Sequence, residues 1–201
     1  MAGGPTEMAG TLDRRAVVEA VLVDRPDGLL VVTGLGSPTW DVAATGDRDD
    51  NFYLWAAMGS AVPIGLGLAI ARPDRRILVV TGDGEMLMGL GSLATAGIQQ
   101  PPNLAVLVLD NQVYGETGGQ DSHTAGGVDL CAVARSCRFA ETVLVRAENA
   151  LADLRSFLLQ APGPVFAVAK IAAGEPPRVL PPRDGHALRA RFRNALAARS
   201  D

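Results

Sequence analysis

Two uninterrupted apolar runs, Ile77 to Val80 and Leu104 to Leu109, constrain this chain more than any other feature. A strand that is apolar at every position must be covered on both faces. Such strands belong to parallel sheets, whose crossover connections lay helices over each side. The rest of the chain supplies the alternation this requires. Asp13 to Val23 reads as an amphipathic helix with Asp13 as N-cap, and Gly28 to Val32 as a short strand running into the turn Thr33 to Pro38. Met58 to Ala71 and Glu85 to Ile98 read as helices, separated by the Arg72 to Arg75 turn and the Ile77 to Val80 strand. After Leu109 come a glycine-rich loop over Gly115 to Gly127 and a helix over Asp129 to Cys137. A strand over Glu141 to Val145, a helix over Asn149 to Gln160 and a strand over Val165 to Ile171 follow. The predicted fold is α/β, a three-layer sandwich with a mostly parallel central sheet and helices on both faces. Its expected organisation is a flexible N-terminal arm (1–11), one α/β domain (12–175), and a proline-rich connector with a C-terminal helix packing on that domain (176–201).

In such sheets ligands bind beyond the carboxyl ends of the strands. Two polar clusters lie there: Thr81-Gly82-Asp83-Gly84-Glu85 and Leu109-Asp110-Asn111-Gln112-Val113-Tyr114-Gly115-Glu116. Gly82 and Gly84 permit tight backbone geometry, and a helix starting near Glu85 would aim free N–H groups at an anion. An acid at Asp83 would repel a phosphate unless it held a cation that the phosphate also binds. Asn111 offers a neutral oxygen and the Val113 carbonyl a third. Few charged ligands, all oxygen, describe Mg²⁺ better than Zn²⁺. Taken singly, Asp83 reads equally well as a helix cap and Asn111 as a turn residue. Both at this spacing favour a metal–diphosphate site.

Composition narrows the classes. At 201 residues, with 48% apolar and 20% charged residues, the chain has the balance of one well-cored domain. A net charge of −4 argues against nucleic-acid binding. Seventeen of the eighteen basic residues are Arg and the other is Lys170, a bias read as base composition. Cys131 and Cys137 form no metal-binding spacing with His123 or His186 and are expected as reduced thiols of a cytoplasmic protein. The N-terminus lacks the pattern of a signal peptide, and no apolar run is long enough for a membrane span.

The Gly82-Asp83-Gly84…Asn111 pattern, with Phe52 to Gly59, Thr81 to Met88 and Leu109 to His123, resembles the thiamine diphosphate enzymes. Within that family the chain is most similar to the β subunit of sulfopyruvate decarboxylases and to the C-terminal half of phosphonopyruvate decarboxylases. The resemblance implies the thiamine diphosphate-binding fold, with thiamine diphosphate and Mg²⁺ as cofactors. It implies that Asp83, Asn111 and the Val113 carbonyl bind the metal, and that Gly82, Gly84 and Glu85 offer backbone to the diphosphate. The turn with Gly34 and Ser37 closes the far side, and Tyr114 belongs to the cofactor-binding set. Met58 would be the wedge that bends the cofactor, and the Ala56 carbonyl, where the family often has Gly, would accept from its amino group. From the residues alone, core packing on a helix survives as the alternative reading of Met58.

Glu116, Thr117 and His123 are the candidate catalytic residues, and Gln120 a candidate substrate contact, on a loop that reads either as a mobile connector or as a lid. His186 reads as structural. The acid that activates the cofactor belongs, in the family, to a pyrimidine-binding domain that this chain lacks. The resemblance therefore implies a separate α subunit supplying that Glu, further self-association, and decarboxylation of a small anionic 2-keto acid to CO₂ and an aldehyde. A carboligase half resembling acetolactate synthase and a non-catalytic cofactor-binding or regulatory subunit are the alternative readings. A plain nucleotide-binding domain fits poorly, because Gly65-Leu66-Gly67 lies within a helix-like run and not on a strand-to-helix turn.

Overall fold

The computed structural model describes residues 11–197; apart from Thr11, the arm expected over 1–11 lies outside the described residues. Helix α1 (Arg14–Leu22) is capped by Asp13, whose carboxylate accepts from the Ala16 N–H at 2.8 Å. It is followed by β1 (Leu30–Thr33), α2 (Ser37–Ala44), β2 (Asn51–Tyr53), α3 (Ala61–Ala71) and β3 (Ile77–Gly82). Two helices, α4 (Asp83–Met88) and α5 (Gly91–Gln99), lead to β4 (Leu104–Asp110) and a two-residue hairpin, β5 (Val113–Tyr114) and β6 (Gln120–Asp121). The chain continues through α6 (Leu130–Ser136), β7 (Glu141–Val145), α7 (Leu151–Gln160), β8 (Val165–Lys170) and α8 (Gly185–Ala197).

Six strands form one sheet in the order β2-β1-β3-β4-β8-β7, and every pairing in it is parallel. β3, β4 and β8 are central and almost wholly buried, which is why their sequences are apolar at nearly every position. Alternate residues feed two separate cores. Val31, Leu78, Val80, Leu107 and Ala167 pack with Val17, Val21, Val42, Leu154 and Leu158 of α1, α2 and α7. Leu30, Val32, Val79, Val106 and Phe166 pack with Val62, Leu66, Leu93, Leu130 and Phe192 of α3, α5, α6 and α8. The α/β three-layer architecture read from the sequence is the one present.

Several boundaries differ, and each has a local cause. The helix expected from Met58 starts at Ala61, because Ala57 (φ 58°) and Gly59 (φ 86°) adopt left-handed backbone and make residues 57–60 a turn. The helix expected over Glu85 to Ile98 is two helices, beginning at Asp83 and broken after Met88. At that break Gly89 lies against Gly59: a Cβ on either glycine would collide with the other's backbone. The turn expected over Thr33 to Pro38 runs into α2, with Gly36 (φ 80°) as N-cap and Pro38 in the first turn. β2 has no counterpart in the sequence reading. The first turn of the helix expected from Asn149 is a 3₁₀ turn over Glu148–Ala150. α8 packs on β2 through Phe52 and Phe192, whose ring centroids are 5.1 Å apart, and the connector reaches Trp55, whose indole N–H donates to the Pro182 carbonyl at 3.2 Å. Among the described residues no helix is long and apolar enough to cross a membrane.

Candidate active site

The connection leaving β1 runs outward to β2 and the one leaving β3 runs the opposite way to β4, so the carboxyl ends of β1 and β3 flank a crevice at a topological switch point. The cleft there is lined from three strand ends: Leu35, Ser37 and Pro38 after β1; Gly82 to Glu85 after β3; and Asn111, Val113, Tyr114, Glu116 and Thr117 after β4. Met58 and Arg14 complete the wall.

Asp83 opens α4 and is 2% exposed. Its Oδ2 accepts from the Ser122 hydroxyl and, at 3.1 Å, from that of Thr124. Burial pushes its carboxyl above the ordinary range; the two hydroxyls oppose this, and the negative charge of Asp110 adds to it. The single Thr124 hydroxyl proton is shared between Asp83 and Asp110 Oδ1, which lies nearer at 2.8 Å, and Asp110 is paired with Lys170 at 2.7 Å. A buried network thus runs from Lys170 through Asp110 and Thr124 to Asp83. The turn after β4 is shaped by its own sequence. Asp110 accepts from the Gln112 N–H at 3.0 Å and Asn111 from the Val113 N–H at 3.1 Å, while Gln112 sits at φ 65°. These two Asx turns present Asn111 and Val113 to the cleft.

Glu85 is also buried, and its side chain faces the protein. One carboxylate oxygen accepts from the Thr81 hydroxyl at 2.7 Å. The N–H groups of Gly59, Ala61 and Leu35 favour the charged form, without an aligned donor on Oε1, and burial outweighs them, raising its pKa. Glu85 therefore lies between the 34–36 and 57–61 segments beneath the cleft. Gly34 does not line the cleft but lies directly against this carboxylate: a Cβ there would overlap it. Gly84 is bare where the Tyr114 ring crosses it, 2.7 Å from where a Cβ would sit.

The candidate residues thus separate. Ser37, Met58, Gly82, Asp83, Gly84, Glu85, Asn111, Val113, Tyr114, Glu116 and Thr117 share the one cleft. Met58 is 38% exposed on a turn, so the reading as a helix core residue fails. Ala56, Gln120 and His123 are outside the lining. Ala56 is two residues before Met58, Gln120 meets the Thr117 hydroxyl at 3.2 Å, and His123 meets the Tyr114 hydroxyl at 2.9 Å. The loop over 115–127 is not featureless, since the β5–β6 hairpin folds within it and Ser122 and Thr124 tie it to Asp83. Sequence reasoning missed Arg14, Ser122, Thr124 and the Asp110–Lys170 pair. A Ser-x-Thr alternation facing an acid is a readable signal, but its partner is 39 residues away in the chain. Cys131 and Cys137 are free thiols, and burial pushes the Cys131 thiol up to about 11.

Residues 42–169 match the family described as thiamine pyrophosphate enzyme, C-terminal TPP binding domain. The chain is 39% identical over 170 residues to a phosphonopyruvate decarboxylase from Streptomyces viridochromogenes, covering 85% of this chain and 42% of that protein. It is 39% identical over 145 residues to the sulfopyruvate decarboxylase subunit beta of Methanothermobacter thermautotrophicus, covering 72% and 75%. A solved structure from Mycobacterium smegmatis, described as a thiamin diphosphate-dependent enzyme, superposes with a TM-score of 0.69 at 23% identity, over 84% of this chain and 34% of that one. The chain therefore spans less than half of the phosphonopyruvate decarboxylase it matches and three quarters of the β subunit. With the Gly82-Asp83-Gly84 turn and Asn111 meeting at one switch-point cleft, the chain belongs to the thiamine pyrophosphate enzymes, as a C-terminal TPP-binding domain.

Proposed function

We propose that this chain is the diphosphate- and Mg²⁺-binding subunit of a cytoplasmic 2-keto acid decarboxylase, working with a separate pyrimidine-binding α subunit on a short anionic substrate such as sulfopyruvate or phosphonopyruvate. The observation that carries the reading is the convergence of Asp83, Asn111 and Val113 on one cleft, in a chain similar to β subunits of that activity. The residues present suit the cofactor. Among the described residues no cluster of three His, Cys, Asp or Glu could hold a metal, so a cation at Asp83 would draw its remaining oxygens from the ligand. That is the habit of Mg²⁺ beside phosphates. The uncapped start of α4 leaves backbone N–H groups toward the same cleft, and glycines flank Asp83 where a phosphate must come close.

When bound, thiamine diphosphate supplies the electron sink that lets a 2-keto acid lose CO₂. The chain's own part is binding and orientation. Asp83, Asn111 and the Val113 carbonyl would hold the cation, with Ser122 and Thr124 fixing the Asp83 rotamer. Met58 would bear on the cofactor from its turn, near the Ala56 carbonyl. Glu116 and Thr117 would face the reacting end, and the Tyr114–His123 pair could move a proton between the cleft and solvent. Gln120, through Thr117, would meet the substrate. The acid that activates the cofactor would come from the α subunit.

The test is co-expression with a candidate α subunit and a screen of anionic 2-keto acids for CO₂ release, alongside calorimetry of thiamine diphosphate with Mg²⁺. Asp83→Ala should abolish Mg²⁺-dependent cofactor binding, since it removes the only charged ligand. Near-normal affinity in that variant would sink the assignment, and full decarboxylation by the isolated chain would sink the two-subunit reading.

A further inference from the structure

The lining of the cleft carries three acids, Asp83, Glu85 and Glu116, and one cation, Arg14. Arg14 is the second residue after the β-bridge at Leu12, in the first turn of α1, and only 5% exposed. Its Nε donates to Asp41 of α2 at 2.6 Å, and Asp41 is itself buried and also meets Arg15 at 3.6 Å. The terminal amino groups of Arg14 have no hydrogen-bond partner among the described residues, although the side chain is more than nine-tenths buried. A guanidinium is costly to bury and offers five N–H donors in a fixed fork. Here Asp41 occupies the Nε position, and the residue borders both the cleft shared with Ser37 and Pro38 and a neighbouring hollow walled by Leu12 and residues 172–176.

We infer that Arg14 is an oxyanion-binding residue for the diphosphate of the cofactor, an inference that rests on the functional reading above. Charge balance supports the diphosphate as ligand. A diphosphate carries more negative charge than one divalent cation can neutralise, and Asp83 cancels part of that cation. Beyond the N–H groups at the start of α4, a positive group inside the same cleft would offset the remaining charge, and Arg14 is the one the lining provides. Arg15 leans on Asp41 as well, so the Arg14–Arg15–Asp41 group keeps a net positive charge. Asp41 acts as a tether: it pins one edge of the guanidinium and leaves the other for a planar, two-point contact with phosphate oxygens.

The experiment uses the full chain with inorganic pyrophosphate plus Mg²⁺, and with thiamine diphosphate plus Mg²⁺, as calorimetric probes. Arg14→Met should weaken both by roughly 10- to 100-fold, the range for losing charge-assisted hydrogen bonds. Arg14→Lys, which keeps the charge but not the fork, should recover part of the loss. Thermal melts followed by circular dichroism show which variants are folded. If Arg14→Met does not fold, Arg14→Lys and the charge-balanced Arg14→Met/Asp41→Asn pair carry the test, each expected to bind pyrophosphate more weakly than the wild type. Unchanged pyrophosphate affinity in folded variants would overturn the inference. So would a raised KM for the anionic keto acid with cofactor affinity unchanged, which would make Arg14 a substrate contact. A wild-type chain that binds neither probe in an Mg²⁺-dependent way would instead fail the functional reading itself.

Discussion

Lys170 is the only lysine in the chain, and its removal should be costly for a reason that can be worked through. It ends β8 in register with Asp110 at the end of β4, and its Nζ lies 2.7 Å from Asp110 Oδ2. Both side chains are at least 95% buried. Asp110 also accepts from the Gln112 N–H and the Thr124 hydroxyl, so the carboxylate is saturated with donors only while Lys170 is present. Lys170→Met keeps most of the stem and deletes the charge, leaving Asp110 buried without its counter-ion. Breaking a buried pair from one side costs about 3–5 kcal/mol. In a chain of this length each kcal/mol moves the melting temperature by about 2–4 °C, so a fall of roughly 6–20 °C is expected. Asp110→Asn in the same background removes the orphaned charge while its carbonyl still accepts one hydrogen bond, and should leave a deficit of only about 1–2 kcal/mol. Urea unfolding of the wild type, both single variants and the double variant gives the coupling, expected above about 2 kcal/mol. A Lys170→Met protein within about 1 kcal/mol of wild type, or a coupling near zero, would refute the pair's role in holding the turn after β4.

Two further outcomes probe the packing beneath the cleft and the tie between α8 and the loop before β2. Gly34→Ala places a methyl group into the Glu85 carboxylate and 2.9 Å from the Thr81 hydroxyl, so it should cost about 1–3 kcal/mol in urea unfolding; adding Glu85→Ala, which empties that space, should recover part of the loss, and no recovery would show that the strain lies elsewhere. Asp47 takes two hydrogen bonds from Arg191 of α8 at 2.6 and 2.7 Å and one from Tyr53, which hold its carboxyl below the ordinary range against a modest burial effect. A depressed carboxylate contributes stability that is present above its unfolded value, near 3.8, and lost as pH falls through its lowered folded value. With the side chain one-third exposed, the contribution is under about 1 kcal/mol. Melts of wild type and Asp47→Asn should therefore differ at pH 7 and draw together as pH falls below about 3.8; a gap independent of pH would rule this linkage out.

What the sequence discloses here is what local periodicity and short spacing can carry. β3 and β4 are legible because a strand buried on both faces must be apolar throughout, and the two polar clusters are legible because each ends such a strand. α2 is hidden because Gly36-Ser37-Pro38 reads as a turn, although a proline in a first helical turn is also a start signal. The start of α3 is misread because Met58 and Gly59 extend the apolar run without a break. Only the close approach of Gly59 and Gly89, thirty positions apart, makes residues 57–60 a turn. Glu85 looks from the sequence like a backbone donor at a helix start, and only the folded chain reveals its carboxylate as buried against Thr81 and Gly34. Lys170 stands in the sequence only as the exception to an Arg bias, yet it sits where a buried counter-ion is required. The missed residues are those whose partners are distant in sequence, as with Lys170 and Asp110, or Ser122 and Asp83.

Burial along the cleft is uneven, and the unevenness bears on how an active site could be shared. On the side of the proposed metal, Asp83, Glu85, Asp110, Ser122, Thr124 and Lys170 are all buried, and each has a partner within the chain. On the other side Glu116, Thr117, Gln120 and His123 are exposed, and Met58 stands on a turn with more than a third of its surface open. A group that must exclude water from a reacting centre cannot do so from an exposed position, because water competes for every hydrogen bond and screens every charge. On the proposed reading, the exposed rim is therefore where the α subunit would close. On that reading the difference also orders the energetics: the half proposed to hold the anion is assembled by folding this chain, and the half proposed to perform the chemistry would be completed by association. Substitutions in the buried network should then register in stability and metal affinity, and substitutions on the rim in turnover of the assembled enzyme.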